Sequence, residues 1–155
     1  MPALRDMRES DCLPLAEWMV TVPLWQRYGL TVEGAIGQFQ AGLARGDALI
    51  AAEDEAGVPV GFAWMMPKGA FGRSPYLRLI GVRPDVADQG VGALLLEAVE
   101  ARAWAISDVF FLLVSDFNDR AQRFYERQGY TRVGALPDYV MPGIAELIYW
   151  KHRAG

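Results

Sequence analysis

The sequence predicts a mixed α/β sandwich in one domain spanning residues 1–155. Its sheet is mostly antiparallel, with about seven strands flanked by four helices in the order β-α-α-β-β-β-α-β-α-β-β. Three observations point there. A chain of 155 residues with 52% hydrophobic and 22% charged side chains can fill one core and is not disordered. Segments with helical spacing alternate with short apolar runs. One of these runs, Val109–Val114 (Val-Phe-Phe-Leu-Leu-Val), is apolar throughout, as a strand covered on both faces should be.

The elements follow in order. Residues 3–7 alternate weakly and suit a short opening strand. From Ser10, a suitable N-cap, Leu13, Leu15, Ala16, Met19 and Val20 recur at helical spacing as far as Pro23. Thr31 caps a second helix with Ala35, Ile36, Phe39 and Leu43 on one face and Gly46 at its end. Ala48–Ala52 and Pro59–Met66 then flank a hairpin turn, Glu53-Asp-Glu-Ala-Gly57. Tyr76–Val82 is a further strand, stopped by Arg83-Pro-Asp85. Gly90-Val-Gly92 opens the clearest helix, with Val91, Leu95, Val99, Ala103 and Ile106 as its apolar stripe. After the 109–114 strand, Asn118 to Gln128 forms a helix capped by Asn118 or Asp119 and ended by Gly129. Strands near Tyr130–Leu136 and Ile144–Trp150 finish the chain. The 76–82 and 109–114 strands, joined by a crossover helix, form the parallel pair.

Composition excludes much. A net charge of −4 argues against a nucleic-acid partner. One cysteine, Cys12, permits no internal disulfide and no multi-cysteine metal site, and one histidine, His152, leaves no basis for a His-centred triad. No segment reads as a signal peptide or a membrane span, so a cytoplasmic location without membrane contact is expected. The acidic excess is local. Residues 1–60 hold nine acids and four bases, whereas residues 61–155 hold ten acids and eleven bases. An acidic half suits a cationic amine, and equally an ordinary solvated surface.

Two segments carry chemistry. In Val82-Arg-Pro-Asp-Val-Ala-Asp-Gln-Gly-Val-Gly-Ala93, Gly90 and Gly92 let backbone N–H groups approach an anion at a helix start. A pyrophosphate is the natural guest; equally, the two glycines shape a turn. No Gly-Lys-Ser/Thr follows, so this is no P-loop, and Leu95 stands where a dinucleotide fold needs its third glycine. The second segment is Asn118-Asp-Arg-Ala-Gln-Arg-Phe-Tyr-Glu-Arg-Gln-Gly-Tyr130. Its Arg120, Arg123 and Arg127 form a basic ridge that reads first as a solvated face and otherwise as a holder of phosphates.

Together these segments resemble the GNAT superfamily of acyl-CoA-dependent N-acetyltransferases. Its loop pattern, Gln/Arg-x-x-Gly-x-Gly/Ala, is matched by Ala87-Asp-Gln-Gly90-Val-Gly92. Its later pattern, Asn-x-x-Ala-x-x-Phe/Leu-Tyr-x-x-x-Gly-Phe/Tyr, is matched by Asn118, Ala121, Phe124, Tyr125, Gly129 and Tyr130. Ala87 departs from the usual Gln or Arg, with Gln89 or Arg83 as substitutes for the missing side chain.

The resemblance implies acetyl-CoA as acyl donor, an amine of a small molecule, peptide or protein as acceptor, direct transfer in a ternary complex, and no metal. It assigns cofactor binding to Ile80, Val82, Ala87, Asp88, Gln89, Gly90, Val91, Gly92, Ala93 and Asn118. By the same resemblance Tyr125 is the catalytic acid expected to protonate the departing thiolate, the plain alternative being an aromatic packed beside Phe124. The resemblance also directs attention to Trp25, Tyr28 and Tyr139 as the acceptor pocket, each equally an ordinary half-buried aromatic. Many relatives carry a glutamate base on or just before the 76–82 strand, but Ser74-Pro-Tyr-Leu-Arg-Leu79 has no carboxylate. Asp116, Tyr76 and Asp138 are candidates, a water chain to solvent serves equally, and none is singled out. A homodimer is a further expectation. The alternative reading is a non-catalytic CoA-binding or sensory/interaction domain of the same fold.

Overall fold

The computed structural model describes residues 1–154. Its strands are β1 (Ala3–Asp6), β2 (Ala48–Glu53), β3 (Pro59–Ala70), β4 (Ser74–Val82), β5 (Val109–Ser115), β6 (Thr131–Leu136) and β7 (Glu146–His152). Its helices are α1 (Cys12–Met19), α2 (Pro23–Arg27), α3 (Val32–Arg45), α4 (Val91–Trp104) and α5 (Asp119–Arg127). The strands form one sheet in the order β1-β2-β3-β4-β5-β7-β6. Every neighbouring pair is antiparallel except β4 and β5. The expected mixed sandwich and its single parallel pair are therefore present. No helix among the described residues is long and apolar enough to cross a membrane.

Three local expectations are corrected. Among the described residues there are five helices rather than four: α1 already ends at Met19, and Pro23 opens a further helix. Lacking an N–H, it suits a first helical position and starts the short α2. Ser10 caps nothing: it lies in a 3₁₀ turn, Glu9–Asp11, whose Asp11 Oδ2 accepts the Arg8 backbone N–H at 2.7 Å. Ile106 lies beyond the end of α4 and is 57% exposed, so the buried stripe closes at Ala103. Other signals act as read. Thr31 Oγ1 accepts the Gly34 N–H at 3.0 Å, Asn118 Oδ1 accepts the Ala121 N–H at 3.2 Å, and Asp54 holds the 53–57 turn with two backbone N–H groups.

The alternation along β2 and β3 sorts their side chains onto two cores. Ile50, Ala52, Ala63 and Met65 face α4, whose Val91, Leu95, Leu96, Val99 and Ala103 are buried against them. Leu49, Ala51, Phe62 and Trp64 face α1 and α3, where Leu15, Trp18, Met19 and Phe39 close the second core. A buried Glu100 on α4 accepts hydrogen bonds from Tyr130 (2.8 Å) and Lys151 (3.1 Å), so its charge is compensated across the first core.

The feature that matters for function is a seam. β4 and β5 pair only at Tyr76↔Phe111 and Leu77↔Leu112. Against β3, Trp64 opposes Leu79 and Met65 opposes Leu77, which makes Arg78 the extra residue of a β-bulge. A bulge bends and twists its strand, and beyond it β4 parts from β5. Arg83 donates its N–H to Val60 O at 2.8 Å. By strand alternation, Gly81 and Leu79 also face β3, while the N–H and C=O groups of Ile80 and Val82 point into the seam.

Candidate active site

A cavity of about 1190 Å³ follows the seam. On the α4–α5 side it is lined by Ala87, Asp88, Gly90, Gly92, Ala93, Asn118, Phe124 and Tyr125. On the α2–α3 side it is lined by Trp25, Tyr28, Gln38, Tyr76, Arg78 and Glu146, with Tyr139 at the rim. Thus residues expected from two distant motifs and from the first helices meet at one opening. Two do not: Gln89 is exposed and lines no part of the cavity, and the Val91 side chain is 1% exposed within the core.

The loop before α4 turns tightly. Asp88 and Gly90 both have left-handed backbones, with φ of 65° and 84°. Gly90 caps α4 without a side chain, so the N–H groups of the first helical turn have neither helix nor cap partner. A helix of this length adds partial positive charge at that end. The substitutes named for the missing side chain at position 87 are otherwise engaged. Arg83 makes two hydrogen bonds to Asp85, at 2.6 and 3.0 Å, and Gln89 faces solvent. Arg120 is exposed, as a solvated face requires, and it also lines the cavity, where it pairs with Asp88.

Tyr125 is 7% exposed, and its hydroxyl has no hydrogen-bond partner among the described residues. Burial, and secondarily Tyr76, raise its pKa above the usual phenol range. It therefore stays protonated at neutral pH. Burial also pushes the Tyr76 phenol up to about 12, with Arg78 opposing and Glu146 adding. Asn118 lines the cavity while its Oδ1 is committed to capping α5.

On the other side, Trp25 packs on β4 so closely that a Cβ at Gly81 would come within 2.5 Å of its ring. Tyr28 reaches from the end of α2 to β5 and β7. Its hydroxyl donates to Glu146 Oε2 at 2.6 Å and lies 2.5 Å from Ser115 Oγ. Its single proton goes to the carboxylate, so the serine donates to the phenol oxygen. Burial first, and the Glu146 hydrogen bond second, raise the Tyr28 pKa.

Of the candidate bases, Asp116 accepts the Ala145 N–H at 3.1 Å and Asp138 accepts the Gly143 N–H at 2.6 Å. Both shape the loop before β7, and neither lines the cavity. No acid of residues 1–60 lines it either. Two carboxylates do: Asp88, which is paired with Arg120, and Glu146, 7% exposed, which lies on β7 rather than near β4, where the base was expected from the sequence. One sequence signal was available: it is the lone acid in the otherwise apolar strand Ile144–Trp150.

Comparison with known proteins places these features. A family model described as the acetyltransferase (GNAT) family matches residues 9–130. A mycothiol acetyltransferase of Propionibacterium freudenreichii subsp. shermanii is 36% identical over 94 residues. That match covers 59% of this chain, and the chain spans only 30% of the relative's length. Among solved structures, a GNAT-family protein from Desulfovibrio desulfuricans superposes with a TM-score of 0.82 at 21% identity, covering 99% of this chain and 100% of that one. The YncA protein of Salmonella typhimurium, solved with its cofactor acetyl-CoA, superposes with a TM-score of 0.78 at 16% identity, covering 100% of this chain and 95% of that one. These two likenesses are of fold. With four-fifths of its length matched by the family model and the splayed sheet to go with it, the chain belongs to the GNAT family of acetyltransferases.

Proposed function

We propose that this chain transfers an acetyl group from acetyl-CoA to a primary amine of a small molecule, peptide or protein, with both substrates bound at once. The observation that carries the reading is the seam. Unpaired backbone groups of Ile80 and Val82 and a buried, partner-free phenol at Tyr125 line one cavity, together with residues from the α4–α5 and the α2–α3 sides.

The residues present suit the donor. Free N–H groups at the start of α4, flanked by Arg120, provide for a pyrophosphate. The unpaired edge of β4 provides for an amide-bearing arm, and Asn118 lines the same cavity. Acetyl-CoA supplies an acyl group already activated as a thioester, so neither a metal nor a histidine is required of the chain. A backbone N–H of β4 polarises the carbonyl as negative charge grows on its oxygen. The acceptor nitrogen, arriving as an ammonium, gives up two protons and gains the bond to the acetyl carbon. The carbon–sulfur bond breaks, and sulfur takes a proton from Tyr125. One of the two nitrogen protons restores the phenol, and the other passes to solvent.

The test has two readouts. Acetyl-CoA should raise the melting temperature of the protein, and an amine panel should release free thiol. Tyr125→Phe should slow that release by about 10²-fold or more while leaving the melting shift intact. Equal loss of both would assign Tyr125 to packing. A second reading, a CoA-binding domain without turnover, is favoured by Ala87, which offers no side chain to the phosphates. Melting shifts without thiol release from any amine would establish it.

A further inference from the structure

We propose that the acceptor is an amino acid, held by its ammonium at Glu146 and by its carboxylate at Arg78. The inference rests on the acetyl-transfer reading above and names the substrate class of the same site.

The cavity lining contains two acids, Asp88 and Glu146, and three arginines, Arg78, Arg120 and Arg127. Asp88 and Arg120 neutralise each other, and Arg127 is an exposed residue on the α5 side. On the α2–α3 side two charges of opposite sign remain. Neither has an ion-pair partner among the described residues.

Glu146 is nearly buried, and only its Oε2 accepts a hydrogen bond from a described residue, the one from Tyr28. The Ser115–Tyr28–Glu146 chain fixes the carboxylate and leaves Oε1 unpartnered. Removing a carboxylate from water without a cation is costly. A ligand ammonium would remove that cost.

Arg78 is held just as deliberately. As the bulged residue of β4, it lays its guanidinium over the Trp64 ring, 4.6 Å from the centroid, and donates from Nη2 to Gln38 Oε1 at 2.9 Å. Trp64 is itself fixed by a hydrogen bond to Asp47 at 2.9 Å and by stacking on Phe39. Arg78 Nε is buried with no partner at all. A guanidinium is a fork matched to a carboxylate, and here it faces none from the protein.

Spacing suits a small zwitterion. Glu146 lies on β7 and Arg78 on β4, with β5 between them, so their strands are roughly 10 Å apart before the seam opens. Tyr76, on the same face of β4 two residues before Arg78, lines the cavity with both and senses both charges. A simple monoamine would leave Arg78 uncompensated, and a simple carboxylate would leave Glu146 so.

The test compares amino acids of increasing amine–carboxylate separation, namely the common L-α-amino acids, β-alanine and γ-aminobutyrate, with their primary amides. Thiol release and calorimetric binding to CoA-saturated protein are both read. At least one amino acid should exceed its amide by about tenfold or more in kcat/KM and in affinity, because the amide leaves the half-buried Arg78 guanidinium without a carboxylate. Arg78→Gln should abolish that preference, mainly through KM, and Arg78→Lys should keep part of it. Glu146→Gln should weaken acid and amide alike. Both variants should keep the acetyl-CoA melting shift. A panel in which no amino acid is favoured over its amide, or an Arg78→Gln protein that keeps the preference, would overturn the proposal. Loss of the acetyl-CoA shift in the unaltered protein would instead strike the acetyl-transfer reading beneath it.

Discussion

At the scale of single residues, the molecule separates groups that hold the fold from groups left free to act. Arg5 shows the first kind. Its guanidinium forks onto Asp11 at 2.7 and 2.8 Å and reaches Glu53 at 2.6 Å, tying β1 to β2 and to the turn before α1. Asp11 is 3% exposed. Burial is the largest influence on its carboxyl and acts upward, but the Arg5 hydrogen bonds and the Arg8 N–H outweigh it and lower the pKa. A depressed folded-state pKa gives stability that is complete above the unfolded value of about 3.9 and fades as pH falls through the folded one. The melting temperature of the unaltered protein should therefore fall below about pH 4 more steeply than that of Asp11→Asn. At neutral pH, Asp11→Ala should cost about 2–3 kcal/mol in denaturant unfolding, less than the usual ~3–5 for a broken buried pair because Glu53 still serves Arg5. Tyr125, Glu146 and Arg78 show the second kind, each with polar capacity unspent. Sequence reasoning reached Tyr125 through its motif. It passed over the other two because a charge inside a strand pattern says that a residue is unusual, not which cavity it meets. Only the register of β7 against β5 sets Glu146 beside Ser115 and within reach of Tyr28.

At the scale of elements, boundaries were legible where a side chain makes them. Thr31 and Asn118 cap α3 and α5 with hydrogen bonds that the residue types foretell. They were illegible where the backbone makes them. α1 ends at Met19 with no breaker residue at its end, Pro23 starts a new helix rather than stopping the first, and the Arg78 bulge leaves no compositional mark. The start of α4 offers a sharp separation of fold from binding. A Cβ at Gly92 would meet Phe124 at 3.7 Å, an ordinary contact, and Gly92 lacks the positive φ of Gly90. Gly92→Ala should therefore hold stability level, or raise it by up to about 1 kcal/mol through helix propensity. The same methyl faces the cavity where the helix N–H groups open. Acetyl-CoA affinity, read by titration calorimetry, should fall by about tenfold. Unchanged affinity would move the phosphates elsewhere.

At the scale of the whole molecule, the sheet is two half-sheets, β1–β4 and β5–β7–β6, joined edge to edge at only two residue pairs and bridged by α4. The parallel pair itself was legible from the apolar run and the crossover helix; its early divergence was not. Amide exchange should expose the seam directly. Ile80 and Val82, whose N–H groups face the gap, should exchange at least about a hundredfold faster than Gly81, which donates to β3. Acetyl-CoA should slow Ile80 and Val82 selectively. Uniform protection along β4 would mean that the strand pairs on both sides. The seam also bears on how long the protein lasts in a cell. A ligand at a hundred times its Kd adds about 2.7 kcal/mol to a fold it completes. Where proteases sample the opened state, that margin lengthens the lifetime of each copy. Scarcity of the acyl donor would then thin the protein population as well as idle it, tying abundance to supply without any separate regulator.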